Sequence, residues 1–229
     1  MAGGEVNPIL ARAALAFLLG YVCGACPWGL WLGRWFKGVD VRRFGSRNMG
    51  ATNVYRSLGP ALGVITLALD LLKGAVPVWI VPRLLVPGAG GWTHELVAVA
   101  AGLGAVVGHV WSFWVGFKGG KGVATTAGVL LAVAPLAFAI FAVVFVATVA
   151  VTRFVSLGST LGAIAFFAAL VALTPDARSS PRVWLGATLV TLIVWRHREN
   201  YRRLARGEER RFSFRGRDPS PSRGGGGAS

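Results

Sequence analysis

Residues 122–151 read GVATTAGVLLAVAPLAFAIFAVVFVATVAV, without one charged side chain. A bilayer core is crossed by about 20 apolar residues, so the run is too long for a single span. In its middle stands Pro135, a residue that lacks the amide proton a helix interior needs and clashes with the preceding turn. The stretch is therefore read as two consecutive membrane helices, Gly122–Val133 and Pro135–Val151, the first of them short.

The same apolar character recurs on both sides, in Pro8–Trp35, Ala61–Val86, Glu95–Val115, Ser156–Leu173 and Arg182–Trp195. The expected fold is an all-α integral membrane protein with about seven transmembrane helices. Composition agrees, since 54% of the 229 residues are hydrophobic and 14% are charged, against about 25% charged in a soluble domain. No basic residue precedes the first apolar segment, so it reads as a retained span rather than a cleaved signal peptide.

Ten of the 24 Lys and Arg lie from Arg196 onward. A basic tail beside a membrane helix is drawn to anionic headgroups, and no RNP-like or zinc-finger pattern points to nucleic acid. Arg34–Pro60, Phe117–Lys121, the turn at Arg153 and the tail together hold 19 of the 24. The opposite set holds four, Arg12, Arg83, Arg178 and Arg182. Basic loops stay in the cytoplasm. The expectation is a multi-pass membrane protein with its N-terminus outside, its C-terminus inside and cytoplasmic active-site loops. Residues 1–212 are read as the membrane unit and 213–229 as a basic, Gly/Ser-rich disordered tail.

Cys23-Gly-Ala-Cys26 lies inside the first apolar segment, with no following His and no second pair. Packing is the plain reading of it, redox chemistry the other, since reactive thiols need an accessible electropositive setting. Asp70 and Lys73 stand three apart within the second span. They form a structural ion pair or face a substrate.

Three segments on the cytoplasmic side carry polar chemistry. FGSRNMGATNVYR (Phe44–Arg56) combines glycines that let a ligand approach the backbone with Ser, Asn, Thr and two Arg, and Arg binds phosphate as a fork. GFKGGKGVATT (Gly116–Thr126) places two lysines around a glycine pair just before an apolar helix. Successive amides there can turn toward an anion at a helix N-terminus, although the pattern is not a Walker A. WRHRENYRRLARGEER (Trp195–Arg210) sets His197 and Asn200 three apart, on one face if the helix continues. His197 is a base or hydrogen-bond partner, or a solvated surface residue. No G-x-S-x-G, metal-ligand cluster or H-x-x-x-x-D dyad occurs, which fits a donor that is already activated.

GSRNMGATNVYRSLG, GHVWSFWVGFKGGKGVAT and WRHRENYRRLARGEE resemble, in order and spacing, the three cytoplasmic motifs of the bacterial acyl-phosphate-dependent glycerol-3-phosphate acyltransferases. The resemblance implies seven spans with an outside N-terminus, no metal or other cofactor, and synthesis of 1-acyl-glycerol-3-phosphate for membrane phospholipid. Its implied site comprises Ser46, Asn53 and Arg56 from the first motif, and Lys121 with Lys118 from the second. Ser156 and Ser159 belong to a V-S-L-x-S turn, and His197, Asn200 and Glu209 to the last motif. Three positions depart from the family pattern: Arg47 replaces Gly, Ser112 replaces Pro, and Ala25 replaces Ser.

Such a site must hold two phosphates, one on the acyl-phosphate donor and one on glycerol-3-phosphate. Arg56 and Lys121 would neutralise them, while Ser46 and Asn53 fix the glycerol portion. Ser156 would donate to the carbonyl oxygen, and His197 would orient the hydroxyl while a substrate phosphate takes its proton. A membrane transporter of a phosphorylated solute is the alternative of another class, but it would show repeats and broken helices at the midplane. Acyl-CoA or acyl carrier protein remains a rival donor.

Overall fold

The computed structural model describes residues 8–213. Among the described residues ten α-helices follow one another with no strand. They are α1 (Pro8–Gly24), α2 (Trp28–Lys37), α3 (Ala51–Leu58), α4 (Pro60–Leu85), α5 (Gly91–Val110), α6 (Val123–Val133), α7 (Pro135–Thr152), α8 (Val155–Leu173), α9 (Pro181–Arg196) and α10 (Arg198–Ala205). The chain is an all-α integral membrane protein. Of the tail expected to be disordered, residues 214–229 lie outside the described residues.

Pro135 breaks the long apolar run as expected. Ala134 leaves the helical region at φ −149° and ψ 77°, and Pro135 opens α7, where its missing amide proton costs nothing. Among the described residues five stretches are long and apolar enough to cross a bilayer: Pro8–Lys37, Pro60–Leu85, Gly91–Val115, Pro135–Thr152 and Val155–Leu173. With 11 and 16 residues, α6 and α9 are shorter. At 1.5 Å per residue, α6 reaches only about half of the hydrocarbon core.

The first segment differs from its expected form as one continuous span. It stops at Gly24 and restarts at Trp28, because Pro27 cannot donate into the preceding turn. At the break, the buried Ser112 hydroxyl donates to the Ala25 carbonyl at 2.5 Å. Two of the three departures from the family pattern thus meet in space.

Helix contacts rest on small residues. A Cβ on Gly20 or Gly24 of α1 would strike the backbone of Ala101 or Ala105 of α5, and one on Gly104 or Gly108 would strike that of Phe17 or Tyr21. Gly74 of α4 and Gly128 of α6 meet the backbones of Thr125 and Leu71 in the same way. Such glycine seams let helices pack by close backbone approach where lipid removes any hydrophobic drive. Between α7 and α8 the filling is aromatic, with Phe138, Phe141 and Phe145 stacked 5.6 and 5.8 Å apart.

The ionisable pair in α4 is buried. Lys73 Nζ lies 2.8 Å from Asp70 Oδ1 and donates to the Cys26 carbonyl at 2.7 Å. Pro77, one turn on, lacks the amide proton that would bond the Lys73 carbonyl, and the Cys23 thiol donates there instead, at 3.7 Å. Both cysteines are free, and their contacts are those of packing residues.

Candidate active site

The first polar segment is a loop wound around one side chain. Gly45 and Arg47 take φ values of +55° and +57°, turning the chain back toward the first turn of α3, where Asn53 is 2% exposed. Asn53 Oδ1 accepts from the Ser46 amide at 2.9 Å. Its Nδ2 donates toward the carbonyls of Asn48, Phe44 and Val41 at 2.7, 3.1 and 3.2 Å. An amide has two protons and two lone pairs, so the loop saturates Asn53. Expected to fix the glycerol portion, it instead holds the loop that presents Ser46, Arg47 and Asn48 to a cavity.

The glycine pair also differs from the expected phosphate cradle. The Gly119 amide donates to the Val110 carbonyl and the Gly120 amide to that of His109, each at 3.1 Å. These protons close the C-terminus of α5 and do not point to a ligand. The turn leaves Lys118 exposed and outside the cavity lining, so the structure does not bring it to the site. Lys121 enters the cavity and donates to Asn200 Oδ1 at 2.5 Å.

A bend between α9 and α10 sets the third segment. His197 stands at the bend, 2% exposed. A carbonyl only accepts, so the 2.8 Å contact of Nδ1 with the Ile193 carbonyl places the proton on Nδ1 and leaves a lone pair on Nε2. One turn on, Asn200 Nδ2 donates to Glu209 Oε1 at 2.6 Å. Glu209 also accepts from Ser156 Oγ at 3.0 Å and from Arg203 Nε at 2.9 Å. The Ser156 proton, expected at a substrate carbonyl, goes to Glu209. Glu209, expected among the substrate ligands, gathers α8, α10 and the chain beyond. Ser159 Oγ lines the cavity while donating to the Val155 carbonyl at 2.8 Å.

Electrostatics follow from this packing. Burial, reinforced by the Lys121 ammonium, pushes the His197 imidazole down to about 4. Burial also lowers Lys121, to about 8; Glu209 opposes the shift while Arg203, Arg196 and Arg56 add to it. At Glu209 burial would raise the carboxyl, but hydrogen bonds from Asn200, Arg203 and Ser156 outweigh it and hold the group below its ordinary value.

Of the site residues expected from the sequence, all except Lys118 line one cavity of about 500 Å³. Its polar lining carries Arg47, Arg56, Lys121, Arg203 and Arg210, together with His197 and Asn200. One end is apolar, bounded by Leu67 and Leu71 of α4, Ala127 of α6, and Phe138, Phe141 and Phe145 of α7. Leu67 and Val146 line it while 45% and 62% exposed, so the apolar end runs out to the surface that faces lipid.

The family model described as glycerol-3-phosphate acyltransferase matches residues 14–207. The chain belongs to the glycerol-3-phosphate acyltransferase family. It is 50% identical over 195 residues to the glycerol-3-phosphate acyltransferase of Myxococcus xanthus, an alignment covering 85% of this chain and 97% of that one. With the Geobacter sulfurreducens protein of the same description it shares 46% over 196 residues, covering 84% and 93%. Among solved structures it resembles PlsY, an integral membrane glycerol 3-phosphate acyltransferase, in its glycerol 3-phosphate form. That likeness has a TM-score of 0.75 at 38% identity and covers 90% of this chain and 96% of the other.

In this acyltransferase-family chain, three lining residues escaped the reading of the sequence as site groups, Arg203, Arg210 and His109, while Asp70 stood between an ion pair and a substrate role. The first two lay among seven arginines from Arg196 to Arg211, where spacing could not single them out. Asp70 had a signal, since a carboxylate inside a span usually faces a polar interior. His109 gave none, being one histidine at the end of an apolar run.

Proposed function

We propose that the protein transfers the acyl group of an acyl phosphate to the sn-1 hydroxyl of glycerol 3-phosphate. The products are 1-acyl-glycerol 3-phosphate (lysophosphatidic acid) and inorganic phosphate, in the first step of phospholipid synthesis. One observation carries the reading: a single cavity joins a mouth lined by five cationic side chains to an apolar shaft that runs toward lipid. A molecule with a phosphate at one end and a hydrocarbon chain at the other fits both halves, with its carbonyl near His197. The membrane unit, residues 1–212, sits in a bacterial inner membrane with its N-terminus outside and this mouth in the cytoplasm.

An acyl phosphate is a mixed anhydride, so its carbonyl carbon is already electrophilic. The sn-1 oxygen adds to that carbon, the bond from carbon to the phosphate oxygen breaks, and the hydroxyl proton passes to a phosphate oxygen. Arg56 and Lys121 neutralise the two phosphates, and Asn200 aims Lys121 from its other side. His197, neutral near pH 7, accepts the hydroxyl proton in a hydrogen bond at Nε2 and orients the oxygen. A phosphate with a second pKa near 6 is a stronger base than an imidazole at about 4. Ser46 lines the cavity and stabilises the developing oxyanion, the task that the Ser156–Glu209 bond takes from Ser156. Holding hydroxyl and carbonyl together supplies several kcal/mol of the barrier reduction.

The test is acylation of radiolabelled glycerol 3-phosphate by purified protein in detergent, with palmitoyl phosphate and palmitoyl-CoA offered separately in EDTA. Product from the acyl phosphate alone is expected. Product from the thioester alone reassigns the donor, and no product from either overturns the acyltransferase reading in favour of transport. Ser46→Ala is expected to lower kcat by about a hundredfold with KM little changed, as for loss of one oxyanion donor.

A further inference from the structure

Beneath the glycine pair lies a histidine that the reaction just described does not use. His109 ends α5 at 3% exposure, and its ring fills the space under the turn. A Cβ on Gly120 would collide with His109 Nε2, and one on Gly119 would collide with the His109 carbonyl. On its other edge, Nδ1 lies 3.1 Å from Thr125 Oγ1 and 3.7 Å from Asp70 Oδ1. Lys73 locks Asp70 at 2.8 Å and is itself tied to the Cys26 carbonyl. Thr125, Asp70 and Lys73 are each less than 5% exposed. From above, Arg196 Nη2 donates to the Gly120 carbonyl at 2.9 Å. The turn is thus clamped between the His109 ring and the Arg196 guanidinium, and the next residue is Lys121.

We propose that His109 is a positioning residue for the acyl transfer: its ring, held by Thr125 and the Asp70–Lys73 pair, is the seat on which the Gly119-Gly120 turn rests so that Lys121 enters the cavity. The inference rests on the proposed function above for its kinetic consequences. It also changes the reason for the two glycines. Their amides serve the end of α5 and their missing side chains make room for an imidazole, so the pair acts as a joint and Lys121 carries the anion. Buried charges in a span are costly and persist where they hold something in place.

A complementary pair of this kind couples in a double-mutant cycle. Gly120→Ala drives a methyl into the ring in the parent enzyme, a collision that is gone once His109 is Ala, since the three atoms nearest that methyl all belong to the ring. Initial rates with glycerol 3-phosphate and palmitoyl phosphate are measured for the parent, His109→Ala, Gly120→Ala and the double variant. Gly120→Ala alone is expected to raise KM for a phosphate substrate about tenfold, and to cost about nothing further when His109 is already Ala. His109→Gln, which refills the seat, is expected to recover part of the loss. Amine-selective labelling of Lys121, located by mass spectrometry, gives a readout independent of turnover. Labelling should rise in His109→Ala and in Gly120→Ala as the lysine leaves its place beside Asn200, with no further rise in the double variant. Equal Gly120→Ala penalties in both backgrounds, or Lys121 labelling unmoved by His109→Ala, overturns the proposal. If the parent makes no product while labelling follows the cycle, the acyltransferase reading fails and the seat stands.

Discussion

Burial and the Lys121 ammonium hold the His197 imidazole at about 4, against about 6.5 in an unfolded chain. The unfolded state therefore binds the extra proton between these values, and stability present above pH 6.5 is lost as pH falls toward 4. The total is roughly 3 kcal/mol, and His197→Gln should flatten thermal unfolding across that window. A phosphate acceptor gives an acid limb of activity near pH 6 that His197→Gln should retain; loss of that limb in the variant would falsify the orienting role and make His197 the base. Lys121 bears on the alkaline side, because an ammonium at about 8 loses its charge as pH rises past that value. KM for a phosphate substrate should climb above pH 8, and Lys121→Arg, which keeps its charge, should remove the climb. The sequence exposed these residues unevenly. Arg56, Lys121, His197 and Asn200 stood out because charged or polar groups interrupt apolar runs. The work of Asn53 and Glu209 did not, because only the fold shows that their hydrogen bonds are already taken by the chain.

Helix architecture was mostly legible, and the reasons differ from break to break. Pro135 interrupts a run too long for one span, so length and chemistry agree there. The break at Pro27 hid because Pro8–Trp35 is short enough for one span. Ala25 and Ser112 were visible as departures but not as neighbours, since 87 residues separate them. Ser112→Ala would leave a carbonyl at that break without its hydroxyl partner, a loss expected to cost about 1–3 kcal/mol, read as a lower unfolding temperature with kcat retained. The seam between α1 and α5 is less forgiving. A side chain at Gly24 meets the Ala105 backbone rather than a movable side chain, so Gly24→Leu should separate the helices and cost at least the 1–3 kcal/mol typical of overpacking. Gly38, with open space around it, is the control position, although its φ of +64° makes Asn the suitable replacement.

For the molecule as a whole, basic loops and polar motifs gather at one end. Exposed Trp35, Trp114 and Trp195 belong to the elements beside those motifs, while exposed Trp92 and Trp184 line a groove with Ser179 at the other end. Tryptophans favour both membrane interfaces, and the charge bias predicts which of the two ends is cytoplasmic. A cysteine placed at Gly88 should react with an impermeant maleimide in intact cells, and one at Lys118 only after permeabilisation; the reverse pattern inverts the topology. Distances along the chain then take on a temporal meaning. Arg56 donates to the Arg210 carbonyl across 154 positions, and the Phe212 amide reaches the Arg153 carbonyl at 2.6 Å. The ribosome delivers the first motif early, yet the Arg210 carbonyl that braces Arg56 follows 154 positions later, just behind the Glu209 that braces Asn200. A nascent chain can insert its helices one by one and still possess no finished site. A chain ending at Gly207 lacks both Glu209 and the Arg210 carbonyl, so it should insert normally and remain without activity.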